Sequence, residues 1–526
     1  MKKIFAILSV VAALSLTGCA KDFLDTDPTD RVSGTLVFSN AENALSAING
    51  LYRELNISGW GSSWAHENGG LPAYILVMDL KAEDHLMDAS GSGWFYYDFV
   101  YDTFGDYTGT AGHQHQIWNF LYTLICGTNY ILDYKDMEGT ADDVNYVVGQ
   151  AFALRSFCYM WLIQAYQQNG GAAGSATRSL PGVPLYTEPT VAGSAGKGRG
   201  TVQDVYDQAN ADIDSAIARL SATNVAQKHP SHIDLAVAYA FKARHALVQQ
   251  DFATALAAAE EAMKGQQLGG ASDIAHINNA DAKNVLWGLK VQTDQSPGNA
   301  DIFTHMDADC LSTYSKARHL IVKKLYDMIP ATDVRKAWWT GEIAEASWGT
   351  AGTATGSNRS WCQKKLIFTN AASSLGDHVF LRTEEVYLIA AEAACKLEDY
   401  TKARTYLGAL GALRQDDYAT RLATFTDSNV LNPDTYADPV TLMDEIQFQR
   451  RVELWGENPR IFDIQRLGLA FDRANGGNFT SKQYCSDYTK KVASANFILW
   501  IPRSEFDGNE NMNEATDQNP EQGKNL

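Results

Sequence analysis

Trp60, Trp64, Trp94, Tyr96 and Tyr97 lie within residues 59–112, a stretch crowded with Gly, Ser and Asp that keeps no sustained helical or strand period. Long loops in compact domains usually carry function. The chemistry these residues offer is stacking. A flat ring covers the apolar C–H face of a pyranose with little side-chain entropy to lose, while a polar rim collects the hydroxyls. Trp94 is the first candidate for such a platform, since it follows Glu83-Asp84 and the turn Gly91-Ser92-Gly93. Asp84 is a candidate for the rim. Tyr96 and Tyr97 are adjacent and point differently, so at most one of them shares the platform. Tyr314, Trp348 and Trp361 stand in or beside later loops and complete the set. Each of these rings also suits a core position, where most large aromatics are found. Trp118, Trp161, Trp287, Trp338, Trp339, Trp455 and Trp500 have helical or strand-like surroundings and are read as core.

Catalytic chemistry has less to stand on. The chain holds 62 Asp and Glu, so carboxylate pairs are plentiful, but composition does not supply the spacing of about 5–9 Å that glycoside hydrolysis needs. No Gly-x-Ser-x-Gly, His-Glu-x-x-His or phosphate-binding Gly loop occurs. His113-x-His115 opens a helix and lacks a third nearby ligand. The reading is therefore a non-enzyme without a cofactor; a structural calcium held by loop Asp residues is compatible with the sequence, which fixes no place for it. With 43 Lys and Arg the net charge is −19, the wrong sign for a nucleic-acid partner.

The elements that must position these residues are helices. Ala44, Leu45, Ile48, Leu51, Tyr52 and Leu55 keep a 3.6-residue period, as do Ile117, Trp118, Leu121, Leu124 and Ile125, and again Ala151, Leu154, Arg155, Tyr159 and Leu162. Residues 170–200 form a Gly-rich loop, followed by helices at 202–220, 233–248 and 252–263. Within 233–264, Ala243, Ala255, Ala259 and Ala262 have the spacing by which tetratricopeptide-type helix pairs bring two antiparallel helices close. Ala391 and Ala403 repeat the twelve-residue interval of Ala243 and Ala255, and Asp399-Tyr400 repeats the turn Asp251-Phe252. Residues 284–292 alternate as a short strand, 351–360 form a Gly/Thr/Ser loop, and a polar tail starts at Asp507.

The amino terminus reads as an export signal. Lys2 and Lys3 precede an apolar run at 4–16, which reaches only about 20 Å as a helix against a hydrocarbon core of about 30 Å. Leu16-Thr17-Gly18-Cys19 resembles the lipobox of bacterial lipoproteins, which implies cleavage before Cys19 and lipidation of its thiol. No second run of spanning length occurs, so the lipid is the expected membrane contact. Acids at 22, 25, 27 and 30 with Pro28 read as a solvated tether. The other six cysteines, Cys126, Cys158, Cys310, Cys362, Cys395 and Cys485, show no zinc-type spacing, and several sit in apolar helical patterns; free, mostly buried thiols are expected.

Gln449-Arg450-Arg451-Val452-Glu453-Leu454-Trp455-Gly456-Glu457, followed by Arg460, Phe462-Asp463-Ile464 and Arg466, resembles a charged signature of the SusD/RagB family of nutrient-capturing surface lipoproteins. Collinear pieces agree: Lys21-Asp22-Phe23-Leu24-Asp25, the Trp118 helix, Gly149-Gln150-Ala151-Phe152-Ala153-Leu154-Arg155, Phe380-Leu381-Arg382-Thr383-Glu384-Glu385, Trp500-Ile501-Pro502 and Gln518-Asn519-Pro520. Gln449 departs from the usual Glu, and Trp455 from a commonly smaller residue or Phe. The charged residues suit ion pairing between helices, because Arg forks match carboxylates.

The resemblance implies a mainly α fold, a superhelical scaffold of tetratricopeptide-like helix pairs with a loop-rich variable half containing few short strands. On this reading 1–18 is the signal peptide and 19–40 the lipidated tether. Residues 41–526 form one body, its scaffold mainly at 41–58, 113–265 and 380–466 and its variable, ligand-binding half mainly at 59–112, 270–379 and 467–526. The family places Trp94 where a platform Trp is common. It implies a glycan ligand, delivery to a SusC-like TonB-dependent transporter, and an outer-membrane, outward-facing location. A peptide-binding lipoprotein or a protein-interaction scaffold is the alternative, with a glycan-degrading enzyme behind it.

Overall fold

The computed structural model describes residues 38–57, 59, 65–88, 94–102, 107–109, 112–168, 174–310, 317–351 and 353–520. The helices that carry the architecture are α1 (Ala41–Glu54), α2 (Leu71–Asp79), α3 (His113–Asp133), α4 (Ala141–Tyr166), α5 (Val202–Ser221), α6 (Leu235–Val248), α7 (Phe252–Ala262), α8 (Thr383–Lys396), α9 (Tyr400–Gly411), α10 (Leu442–Glu453) and α11 (Arg460–Leu467). Each long helix packs on the next: α3 on α4, α4 on α5, α5 on α6, α6 on α7, α7 on α8, and α8 on both α9 and α10.

The two expected helix pairs are present, and they stack. Asp251 and Asp399 cap α7 and α9, accepting from the backbone N–H of Thr254 and Lys402 at 3.1 and 3.0 Å. The residues just before these caps, Gln250 and Glu398, take left-handed backbone conformations that turn the chain sharply. Ala243, Ala255, Ala259, Ala262, Ala391 and Ala403 are fully buried, which lets helix axes approach where a larger side chain would hold them apart. The pair α6–α7 meets α8–α9 directly, through α7 against α8 and through Arg244 to Glu385 at 2.6 Å and Lys402 to Glu260 at 2.8 Å. About 120 residues of chain intervene between them, and this insertion builds much of the loop-rich half.

Strands are few and come in antiparallel pairs: β1 (His85–Met87) with β5 (His319–Ile321), β2 (Pro181–Pro184) with β3 (Arg199–Thr201), and β4 (Val285–Leu289) with β6 (His378–Arg382). In β1–β5 His85 lies opposite Ile321. The strand expected within 284–292 is β4. Within 59–112, read from the sequence as loops and short helices, α2 is the one helix of nine residues among the described residues. All nine residues of α2 are buried, and the eight before Asp79 carry no charge, so its sequence shows no period. Gly70 precedes it with φ +71°, and a Cβ there would lie 2.3 Å from the Leu55 carbonyl oxygen.

The charged signature lies inside. Glu453 accepts from Arg382 and Arg414 on one oxygen, at 2.8 and 3.1 Å, and from Arg335 and Arg414 on the other, at 3.0 and 2.9 Å. Glu457 meets Arg382 at 2.6 Å and Lys365 at 2.5 Å, while Glu384 meets Arg414 at 3.0 Å and Asp333 meets Arg335 at 2.6 Å. Four cations thus face four carboxylates with almost no solvent. Burial opposes ionisation of Glu453, but Arg414, Arg382 and Arg335 outweigh it and hold its pKa well below the usual carboxylate range. Gln449 accepts from Arg335 at 2.6 Å and donates to Glu445 at 2.8 Å; a carboxylate there could not make the second bond. Trp455 donates its indole N–H to the Asp84 carbonyl at 3.0 Å and packs against His85, 4.1 Å between ring centroids. The network therefore clamps α8 and α10 onto the segments that carry the loops.

All six cysteines outside the amino-terminal segment are unpaired thiols, four of them buried and Cys126 and Cys485 half-buried. Cys19 lies outside the described residues. Among those residues no helix is long and apolar enough to cross a membrane.

Candidate functional site

The Trp94 turn is held from beneath by α3. Phe95 adopts φ +67°, a left-handed conformation that costs a bulky L-residue about 1–2 kcal/mol. Three contacts offset that cost. The Phe95 ring is fully buried, its backbone N–H donates to the Glu67 carboxylate, and its ring stacks parallel to His113 at 6.2 Å. His113, the first residue of α3, bonds the Asp98 carboxylate through Nδ1 at 2.7 Å and the Glu67 carbonyl oxygen through Nε2 at 3.1 Å. Burial works against charging this ring, but Asp98 and then Glu67 outweigh it and raise its pKa to about 9. At neutral pH His113 is therefore an imidazolium that donates from both nitrogens.

Reversing the chain at Phe95 leaves Trp94 half-buried, its ring stacked on His66 at 4.8 Å and 21°. His305 meets both rings edge-on, at 5.4 Å from His66 and 6.4 Å from Trp94. Burial lowers the pKa of His66 and, more strongly, of His305, so the support beneath Trp94 is neutral. A fixed, partly exposed indole on an uncharged base is what stacking on a sugar face requires.

The neighbouring candidates divide. Tyr97 is 44% exposed on the short helix Tyr96–Phe99, whereas Tyr96 is 8% exposed and packs edge-on against Phe99. Successive residues on a helix cannot share a face, and only Tyr97 remains available. Asp84 corrects the sequence reading. Its carboxylate is buried and takes a forked pair of bonds from Arg451, 2.9 Å to Nε and 2.6 Å to Nη2, so it serves the signature network and cannot form a rim. The polar residue at the end of β1 is instead Asp88, which binds Arg318 at 2.8 Å and Arg359 at 3.4 Å. Arg359 lies over the Trp348 ring at 3.4 Å, covering one of its faces.

Trp361 is half-buried with φ +62°, and Lys323 lies 5.8 Å from its ring. Among the described residues no contact joins Trp94 to Trp348 or Trp361. Trp60, Trp64 and Tyr314 lie outside the described residues. His66, Glu67 and His305 were missed as site residues, and His113 was weighed only as half of a metal pair with His115. The only sequence signal for the first two was their place in the aromatic loop.

Among the described residues no group of three or more His, Cys, Asp or Glu is placed to hold a metal ion. His113 and His115 go separate ways, His115 to the Ser504 hydroxyl at 3.0 Å.

A scaffold of stacked helix pairs carrying a long loop-rich insertion defines the class of the molecule. Two family models then match in sequence order: one described as starch-binding, associating with the outer membrane, over residues 80–247, and one of the SusD family over residues 330–521. The chain belongs to the SusD/RagB family. Its fold is similar to a SusD-like carbohydrate-binding protein from Bacteroides vulgatus, with 23% identity, TM-score 0.74, and 91% of this chain and 98% of that one covered. It is also similar to a SusD superfamily protein from Bacteroides thetaiotaomicron, with 21% identity, TM-score 0.72, and 92% and 100% coverage. A laminarin-binding SusD-like protein shares 17% identity, with TM-score 0.65 and 92% and 100% coverage. No curated protein matches the chain.

Proposed function

We propose that this chain is a non-catalytic glycan-binding lipoprotein. Anchored outside the cell through Cys19, it holds oligosaccharide or polysaccharide on a platform centred on Trp94 and passes it to a SusC-like TonB-dependent transporter. The observation that carries this reading is the Trp94 turn, where a strained backbone and a buried salt-bridged histidine keep a half-exposed indole in one place. Tyr97 is the second contact, and Trp348 and Trp361 extend the surface if the ligand is long. Family membership and the outer-membrane association of the matching family description support the location and the ligand class.

A single sugar site of millimolar affinity is worth about −4 kcal/mol. Tethering beside a transporter makes handover a local event at high effective concentration, so such weak binding suffices. The test is affinity electrophoresis and a glycan array with the soluble Cys19→Ala chain. Binding is expected, and Trp94→Ala is expected to weaken it at least about tenfold, or 1.4 kcal/mol. No binding to any glycan would overturn the reading, and sustained release of reducing ends would replace it with an enzyme. Copurification with a transporter without any sugar binding would favour an interaction scaffold.

A further inference from the structure

An open groove of about 740 Å³ runs along α3 on the scaffold, walled by α1, by a loop containing Tyr186 and Thr190, and by a segment near Glu505. Its floor is one stripe of α3. Trp118, Tyr122, Cys126 and Tyr130 recur every four residues and rise together over about 18 Å. The polar ends of the three rings are already tied to the walls: Trp118 Nε1 donates to Glu505 at 3.1 Å, Tyr122 to the Pro184 carbonyl at 2.8 Å and Tyr130 to the Thr190 carbonyl at 3.2 Å. The rings are therefore fixed before anything binds, and ordering them costs a ligand little. The wall loop is itself pinned, since Asn509 donates to the Lys197 carbonyl at 2.8 Å.

Between the rings stand groups with no hydrogen bond to any described residue: the Asn119 amide, the Thr123 hydroxyl and the Glu54 carboxylate. A dry protein segment settling here would bury these groups and leave them to find partners one by one. A hydroxyl-rich ligand satisfies them from any orientation. Among the described residues no Lys or Arg lines the groove itself, Lys197 standing 5.8 Å from the Tyr186 ring at its edge and Arg53 beside Glu54. The lining carboxylates Glu54 and Glu505 give it acidic character, so uronic acids, sulfated sugars and phosphates are disfavoured.

We infer that this groove is a second carbohydrate site, distinct from the Trp94 platform, and that it takes an extended neutral oligosaccharide. It rests on the proposed glycan-binding role for its ligand class but on none of the Trp94 residues. Cys126 is a half-buried thiol on the groove floor and serves as the reporter.

The experiment uses the full chain with Cys19→Ala, alone and combined with Trp94→Ala. The probes are laminarihexaose, maltohexaose, cellohexaose and xylohexaose, with polygalacturonate as the acidic comparison. Maleimide labelling of Cys126, followed by mass spectrometry, is expected to slow at least tenfold with one or more neutral probes in both backgrounds. Calorimetry of the Trp94→Ala chain should retain binding that Asn119→Ala weakens at least tenfold with the melting temperature unchanged. Unaltered labelling with all four neutral probes overturns the inference, as does protection by polygalacturonate. Binding that disappears entirely with Trp94→Ala leaves the platform reading standing and removes this one. Binding that Asn119→Ala weakens while Trp94→Ala does not gives the reverse.

Discussion

The signature segment 449–466 and the Trp94 turn invert the usual distribution of side chains in opposite senses. In the first, charged residues sit inside; in the second, an aromatic residue sits partly outside. The charges are matched, since each carboxylate around Glu453 faces a guanidinium or ammonium and almost none of the network meets solvent. The indole of Trp94 is supported underneath by His66 and is left half-exposed. Completeness of charge pairing separates the two regions: a network whose carboxylates all meet cations holds the fold, and a fixed ring with an unfilled side is the candidate for ligand contact.

The largest effect is expected where completeness is broken. Glu453→Ala leaves Arg335, Arg382 and Arg414 buried around a missing charge, and urea unfolding should show a loss of about 3–5 kcal/mol. A loss below about 1 kcal/mol would mean that the network is not the clamp described. His113 comes next and tests the support beneath the platform. Its pKa rises from 6.5 unfolded to about 9 folded, so its contribution is complete below 6.5 and is lost as pH rises through about 9. Stability measured between pH 6.5 and 9.5 should fall by about 1–3 kcal/mol more in the parent chain than in His113→Gln. Parallel pH curves would remove the imidazolium from the account of the turn.

Smaller changes sharpen the contrast. Glu398 is exposed with φ +63°, so Glu398→Gly should raise the thermal midpoint slightly, a gain of about 0.5–1 kcal/mol. Tyr97→Ala should alter stability by less than about 0.5 kcal/mol while weakening glycan binding. A larger loss of stability would place Tyr97 in the core.

The scaffold was legible because its signals are local. Alanine twelve residues from alanine, with an Asp cap between, encodes the close helix pair within a single window, and the structure reproduces both pairs. What escaped the sequence was set by partners far along the chain. Asp84 looked like a polar rim because it precedes a Gly-rich loop, yet its partner Arg451 is 367 residues away. Helix α2 hid because burial on every side erases periodicity. Trp94 was legible as a partly exposed loop aromatic from its context; the left-handed Phe95 and the histidines around it were not, since nothing in a lone His announces what it will stack against.

The bonds from Arg451 and Arg460 back to Asp84 and Glu83 also impose an order of events. A chain made from its amino terminus exposes 79–84 long before 451–460 exists. Until the last third arrives, Glu83 and Asp84 have no cation to neutralise them and stay in water, and the loops they flank have nothing to settle on. The helices of α3 to α7 depend on near neighbours and can assemble early. The segment around Glu83 and Asp84 thus settles late, although its residues are among the first to be made. A chain truncated before Arg451 would retain much of its helix content and lose the buried pairing of Glu83 and Asp84.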